Sequence, residues 1–142
     1  MSDLVVDSSV VAKWILPEAD SAKAQQLVEQ AAASGERLIV LDLVFPEVAN
    51  AVWKRHRQQL VKLSEARELL AALDRSPVVV ESAIPLLGPA FEIAAEYDRA
   101  IYDALFVALA EQHQLPGITA DEPLFNAINS DFPRIALLRD FR

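Results

Sequence analysis

Cysteine is absent from this chain, which excludes disulfides, thiolate nucleophiles and thiolate zinc sites together. Histidine is nearly absent too: His56 and His113 are too few for a histidine-rich metal centre. Any metal held here is held by oxygen. Glycine numbers only 3 and no Ser/Gly-rich or low-complexity stretch occurs, so long flexible segments are not expected. Long apolar runs are missing as well. The longest stretch without a charge, Ser82 to Phe91, contains two prolines and falls far short of the ~18 residues that a membrane-spanning helix needs. The opening MSDLVVD has neither the basic flank nor the apolar core of a signal peptide. A cytoplasmic protein without membrane contact is expected, and the 142 residues, 53% of them apolar, fit a single domain, 1–142.

The net charge of -8 argues against a generally basic, nucleic-acid-coating surface. It is a total, however, and not a map. Lys54, Arg55, His56 and Arg57 form a local basic run, with Lys62 and Arg67 shortly after, so a cationic patch can sit on an acidic protein. Lys54, Arg55 and Arg57 are the candidate phosphate contacts. The plainer reading of the run is a solvated helix face.

Strand-like and helix-like segments alternate along the chain. Leu4 to Val6, Leu38 to Leu41, Val78 to Val80, Gly117 to Thr119 and Ile135 to Leu138 read as strands. Helices are expected from Ser8 or Ser9 to Leu16, from Asp20 or Ser21 to Ser34, and from about Leu43 to Gln59. Ser64 reads as the cap of a helix to Asp74, followed by helices at Pro89 to Tyr97, at Tyr102 to Gln114 and after Asp121. Gly35 stands where a left-handed C-cap belongs. This alternation predicts an α/β protein, a three-layer α/β/α sandwich on a mainly parallel sheet.

Four carboxylates interrupt or end apolar segments: Asp7 in LVVDSSVVAKW, Glu47 in LVFPEVANAVW, Asp103 in AIYDALFVALA and Asp121 in LPGITADEPLF. A desolvated carboxylate costs several kcal/mol unless it is paired or bound to a cation. No matching set of apolar-embedded Lys or Arg exists, so a shared divalent metal is the economical partner, and carboxylate oxygens favour Mg or Mn. Singly, each acid has a structural reading: Asp7, Asp103 and Asp121 as helix caps, Glu47 as a first-turn acid facing the helix dipole. In an open parallel sheet the ligand site lies beyond the carboxyl ends of the strands, where Asp7 and Asp121 are expected. Asp103 and Glu47 fall at helix beginnings, so the four can converge.

Two other phosphate chemistries use an Asp after the first strand. A haloacid-dehalogenase phosphatase needs a second Asp two residues on, where Ser9 stands, and a response-regulator receiver needs an acidic pair after its first strand. Both need a late lysine. The lysines are Lys13, Lys23, Lys54 and Lys62, all in the first half.

VVDSSVVAKWILPE, FPEVANAVWK, YDALFVALAEQH and TADEPLFNA, in this order and spacing, resemble the PIN-domain family and in particular its VapC-type toxins of prokaryotic toxin-antitoxin pairs. The resemblance covers essentially the whole chain. It implies a PIN-like fold whose acidic tetrad is Asp7, Glu47, Asp103 and Asp121, supported by the small hydroxyls Ser9 and Thr119. It further implies a Mg- or Mn-dependent endoribonuclease acting on RNA such as tRNA or ribosomal RNA, a cognate antitoxin and a homodimer. The competing expectations are a PIN-like module that binds RNA or protein without cleaving, and a phosphoester hydrolase of another class.

Overall fold

Short runs of Val, Ile and Leu form the strands β1 (Leu4–Val6), β2 (Leu38–Leu41), β3 (Val78–Glu81), β4 (Gly117–Thr119) and β5 (Ile135–Leu137). The structure is a computed structural model and describes residues 3–141, so residues 1, 2 and 142 of the expected 1–142 unit lie outside it. The strands lie in the order β3-β2-β1-β4-β5. The sheet is parallel throughout, where the sequence predicts only a mainly parallel one. Among the described residues seven helices make the crossovers: α1 (Ser8–Ile15), α2 (Ser21–Ser34), α3 (Val44–Arg57), α4 (Leu63–Asp74), α5 (Leu87–Tyr97), α6 (Ile101–His113) and α7 (Glu122–Ile128). None is long and apolar enough to cross a membrane.

Side chains alternate across each strand, and this sorts the core into two layers. Val5, Ile39 and Leu41 pack with α5, α6 and α7 through Ala90, Leu105, Leu109, Leu124 and Ile128. Leu4, Val6, Leu38 and Val40 face the other way, onto Val10 and Val11 of α1, Leu27 of α2 and Val48 of α3. A sheet covered on both faces explains why the central strands read as unbroken apolar runs.

Several boundaries differ from expectation; Asp7, and neither Ser8 nor Ser9, caps α1. Ser64 does not cap α4: the helix starts at Leu63, because the Glu65 carboxylate accepts the Lys62 amide at 2.9 Å and closes the turn one residue earlier. α5 begins at Leu87, with Pro89 in its first turn, where a missing N–H leaves no hydrogen bond broken. Asp103 is not a cap either, because α6 starts two residues before it, with Ala100 at the N-cap position. Gly35 does close α2 in the left-handed conformation, φ 74°.

α6 is the central pillar. Ala104 through Ala110 are all buried, the mark of a helix enclosed on every side. Its close approach to β4 depends on Gly117, where a Cβ would stand 2.8 Å from Ile135 Cδ1 and 3.1 Å from both Ala110 Cβ and Phe106 Cζ. Asp103 is thereby carried on a rigid element. From β1 the chain builds outward to β2 and β3, then crosses back to place β4 on the other side of β1. Such a reversal opens a crevice at the carboxyl ends of the two adjacent strands, here β1 and β4.

Candidate active site

Asp7 follows β1 directly and occupies the N-cap of α1, its Oδ1 accepting the Ser8 amide at 2.9 Å. Its other oxygen takes two hydroxyls: Ser9 Oγ and Thr119 Oγ1 each donate to Oδ2 at 2.8 Å. Thr119 is fully buried at the end of β4 and also accepts the Asp121 amide at 3.1 Å. Ser9 likewise accepts the Ala120 amide at 2.9 Å. The loops after β1 and β4 are thus stapled through the crevice by two small hydroxyls. Ser9 and Thr119 hold Asp7 in one orientation and tie it to Asp121.

Asp121 caps α7, with Oδ1 accepting the Leu124 amide at 3.0 Å. The capping reading is therefore realised for Asp7 and Asp121, and both retain carboxylate capacity beyond the cap. Glu47 lies in the first turn of α3 and is exposed, and the Ser8 hydroxyl opposes the upward shift of its carboxyl. Asp103 projects from the first turn of α6.

Electrostatics tie the four together. Burial first, then the charge of Asp121, pushes the Asp7 carboxyl above the usual carboxylate range, against the lowering pull of its three donors. Glu47 is raised by desolvation and by the charges of Asp7 and Asp103. Asp103 is raised by desolvation and by Asp7 and Asp121, opposed only by Arg99. Values raised first by desolvation and then by mutual repulsion mark carboxylates short of positive charge. Clusters of perturbed carboxylates in a crevice are also where catalytic groups concentrate.

The donor set suits a hard divalent ion: oxygen ligands, an excess of negative charge and little cation to compete. Among the described residues no three acids or histidines gather closely enough to hold one ion between them. That spacing fits Mg, which usually binds through one or two carboxylates and keeps several of its waters.

The basic run divides. Successive helical residues point about 100° apart, so four in a row cannot share a face. Arg55 turns inward, donating to Glu18 at 3.0 Å and to the Pro17 carbonyl at 3.4 Å, and His56 Nδ1 lies 3.1 Å from the Val61 carbonyl. Lys54 and Arg57 remain exposed. Sequence reasoning missed three site residues: the Ser8 hydroxyl beside Glu47, Arg99 beside Asp103, and Tyr102, which lines a small cleft with Asp7, Glu47 and Phe106. Only Tyr102 carries a local signal, an aromatic adjoining a candidate acid.

Comparison with known proteins identifies the family. The PIN domain family model matches residues 4–129. The chain is 37% identical over 123 residues to Ribonuclease VapC3 of Pyrobaculum aerophilum, covering 85% of this chain and 91% of that protein. In structure it resembles PAE2754 from Pyrobaculum aerophilum, with a TM-score of 0.74 at 23% identity over 98% of this chain and 93% of that one. It also resembles a chain of a toxin-antitoxin complex from Klebsiella pneumoniae, with a TM-score of 0.68 at 18% identity, covering 96% and 98% of the two chains. A family match over most of the length, joined to the acid cluster at the sheet's switch point, establishes that this chain belongs to the PIN-domain family.

Proposed function

We propose that the chain is a divalent-metal-dependent endoribonuclease, the toxin of a toxin-antitoxin pair, working in the cytoplasm as a single PIN-like domain, 1–142. The observation that carries this reading is the mutual repulsion that links Asp7, Glu47, Asp103 and Asp121 at one end of the sheet, opposed among cations only by the charge of Arg99 at Asp103. The relative named Ribonuclease VapC3 supports the activity, and the likeness to a chain of a toxin-antitoxin complex supports the partner.

In this reading Mg or Mn would be held directly by one or two of Asp7, Glu47, Asp103 and Asp121, the remaining acids acting through its waters. The chemistry such an ion supplies is neutralisation of charge developing on the phosphate and activation of the attacking water. The chain's own groups do the rest. Ser9 and Thr119 keep Asp7 from rotating, so its free lone pairs stay aimed into the crevice. The charge of Arg99 moderates that of Asp103 and is available to a substrate phosphate. Lys54 and Arg57 contact the RNA backbone, while Arg55 braces the Pro17–Glu18 turn behind them. The products carry a 5′ phosphate and a 3′ hydroxyl, and the substrate class is structured RNA, tRNA or ribosomal RNA.

The antitoxin covers the crevice with an Arg or Lys that takes the cation's place. A homodimer forms through the Ile84, Leu87 and Phe91 face, which leaves 75%, 49% and 64% of these side chains exposed. Light scattering of the purified protein tests the dimer, and Phe91→Asp should convert it to monomer.

The deciding experiment incubates antitoxin-free protein with total RNA, with and without EDTA, and maps the new 5′ ends. Wild type should cut only with metal, and Asp7→Asn should not cut. Cleavage that survives both chelation and the substitution refutes the metal-dependent reading.

A further inference from the structure

We propose that Trp53, braced by Arg57, is a stacking platform for an unpaired base of the RNA, placed a few nucleotides from the scissile phosphate; this rests on the ribonuclease reading above. The Arg57 guanidinium carbon lies 5.4 Å from the centroid of the Trp53 ring, in cation–π range. Half of Trp53 is nevertheless exposed, at 50%. A large aromatic left in water on a helix that starts at the catalytic crevice serves as a contact surface more readily than as core.

Position gives the contact its meaning. Glu47, Asn50 and Trp53 follow an i, i+3 row that winds about 60° round α3 at each step, and Arg57 stands one turn beyond Trp53. All four are exposed, and so is Lys54. From Glu47 to Trp53 the helix rises about 9 Å and turns about 120°, so the indole stands a few nucleotides' length round the helix from the crevice. A strand whose phosphate sits in the acid crevice therefore has a base within reach of the indole. Among the described residues neither Lys54 nor Arg57 forms an ion pair, so both charges are available to the flanking phosphates. An aromatic ring flanked by cations is the usual construction for binding single-stranded nucleic acid. This charge balance favours RNA over an apolar protein segment as the occupant.

Trp14 is the other tryptophan, and its Nε1 donates to Ser76 Oγ at 3.3 Å. A Trp14→Phe background therefore leaves Trp53 as the sole indole reporter. In EDTA, that protein is titrated with octaadenylate and with an eight-phosphate oligomer that lacks bases. Quenching by octaadenylate alone is expected. Trp53→Ala should weaken octaadenylate binding on the order of tenfold or more, with the salt slope unchanged, and Trp53→Phe should recover most of the affinity. Equal quenching by both oligomers overturns the stacking, as does unchanged affinity in Trp53→Ala. An alanine variant that loses capture of the antitoxin while binding octaadenylate normally also overturns it, and assigns the indole to the protein partner. The two readings fail separately. If wild type does not cleave RNA, the nuclease assignment falls while quenching still decides the platform. If Trp53→Ala cleaves with unaltered KM, the platform falls and the nuclease stands.

Discussion

Replacing Thr119 by Val tests whether the hydroxyl staple holds the Asp7 carboxylate. The exchange keeps the shape of a fully buried side chain and removes its donation to Asp7 Oδ2 at 2.8 Å, its acceptance from the Asp121 amide at 3.1 Å and its 3.3 Å contact with Ser9 Oγ. The first is a bond to a charged acceptor, worth ~1.5–3 kcal/mol, and the second leaves a buried amide unpaired at ~1 kcal/mol or more. The added methyl returns about 0.8 kcal/mol by burial. The net loss at neutral pH is therefore ~2 kcal/mol, roughly 6–10 °C in Tm for a chain of this size. Sign matters more than size. Thr119 stabilises the ionised form of Asp7, so its removal raises an already raised pKa further. The deficit should be largest where Asp7 is ionised and shrink as the pH falls and the carboxyl becomes protonated. Thr119→Ser keeps the hydroxyl and should recover most of the loss. Urea unfolding of the three proteins at pH 7.5 and pH 5 provides the measurement. A deficit that is equal at both pH values, or a Ser variant no better than Val, refutes the staple.

Metal-free protein should gain stability on mild acidification. Asp7, Glu47 and Asp103 all have folded pKa values above their ordinary ones, so the folded state binds more protons than the unfolded and stability falls as pH rises through that window. Melting curves from pH 7.5 to 5 without metal check this; a flat profile, or one rising with pH, contradicts it. Asp103→Asn should leave the metal-free protein at least as stable, shrink the stabilisation by Mn and abolish cleavage. At ten times its dissociation constant Mn stabilises wild type by about 1.4 kcal/mol, and a variant with a full Mn shift and full activity removes Asp103 from the site. Gly117→Ala should destabilise by ~1–3 kcal/mol through overpacking against Ile135, Ala110 and Phe106. Cleavage should fall further than the folded fraction does, because α6 carries Asp103; activity that merely tracks folding shows the acid tolerates the shift.

The strands and the four acids were legible because each leaves a mark in one dimension. A short apolar run ends, and a carboxylate stands at its end. Ser9 and Thr119 were indicated by the family resemblance alone, and their joint hold on Asp7 is seen only in the fold. What stayed hidden is whatever depends on contacts between distant segments. Glu18 and Arg55 are far apart in sequence, and their 3.0 Å ion pair takes one cation out of a run that looked continuous. Arg99 reads as an ordinary charge before a helix, and only the end of α6 brings its charge to bear on Asp103. The α4 boundary fell to a local competition that Ser64 lost to Glu65.

The four acids divide by how firmly the protein holds them, and the division follows from what carries each. Asp7 and Asp121 follow strands at the switch point, and each oxygen the structure engages there is fixed by a backbone amide or a buried hydroxyl. Their positions are set by folding alone. Asp103 has burial and like charge pressing on it and only the charge of Arg99 in its favour, and Glu47 has the Ser8 hydroxyl. These helix-borne carboxylates are the ones with unmet demand for positive charge, so an arriving cation gains most from them. On the proposed reading, a rigid pair that marks the place, opposed by a pair that needs a cation, would be completed by the ion and by the substrate phosphate. Affinity and geometry would then be separated: Thr119 and Ser9 would set where the reaction occurs, and the unsatisfied charge of Glu47 and Asp103 would supply the pull.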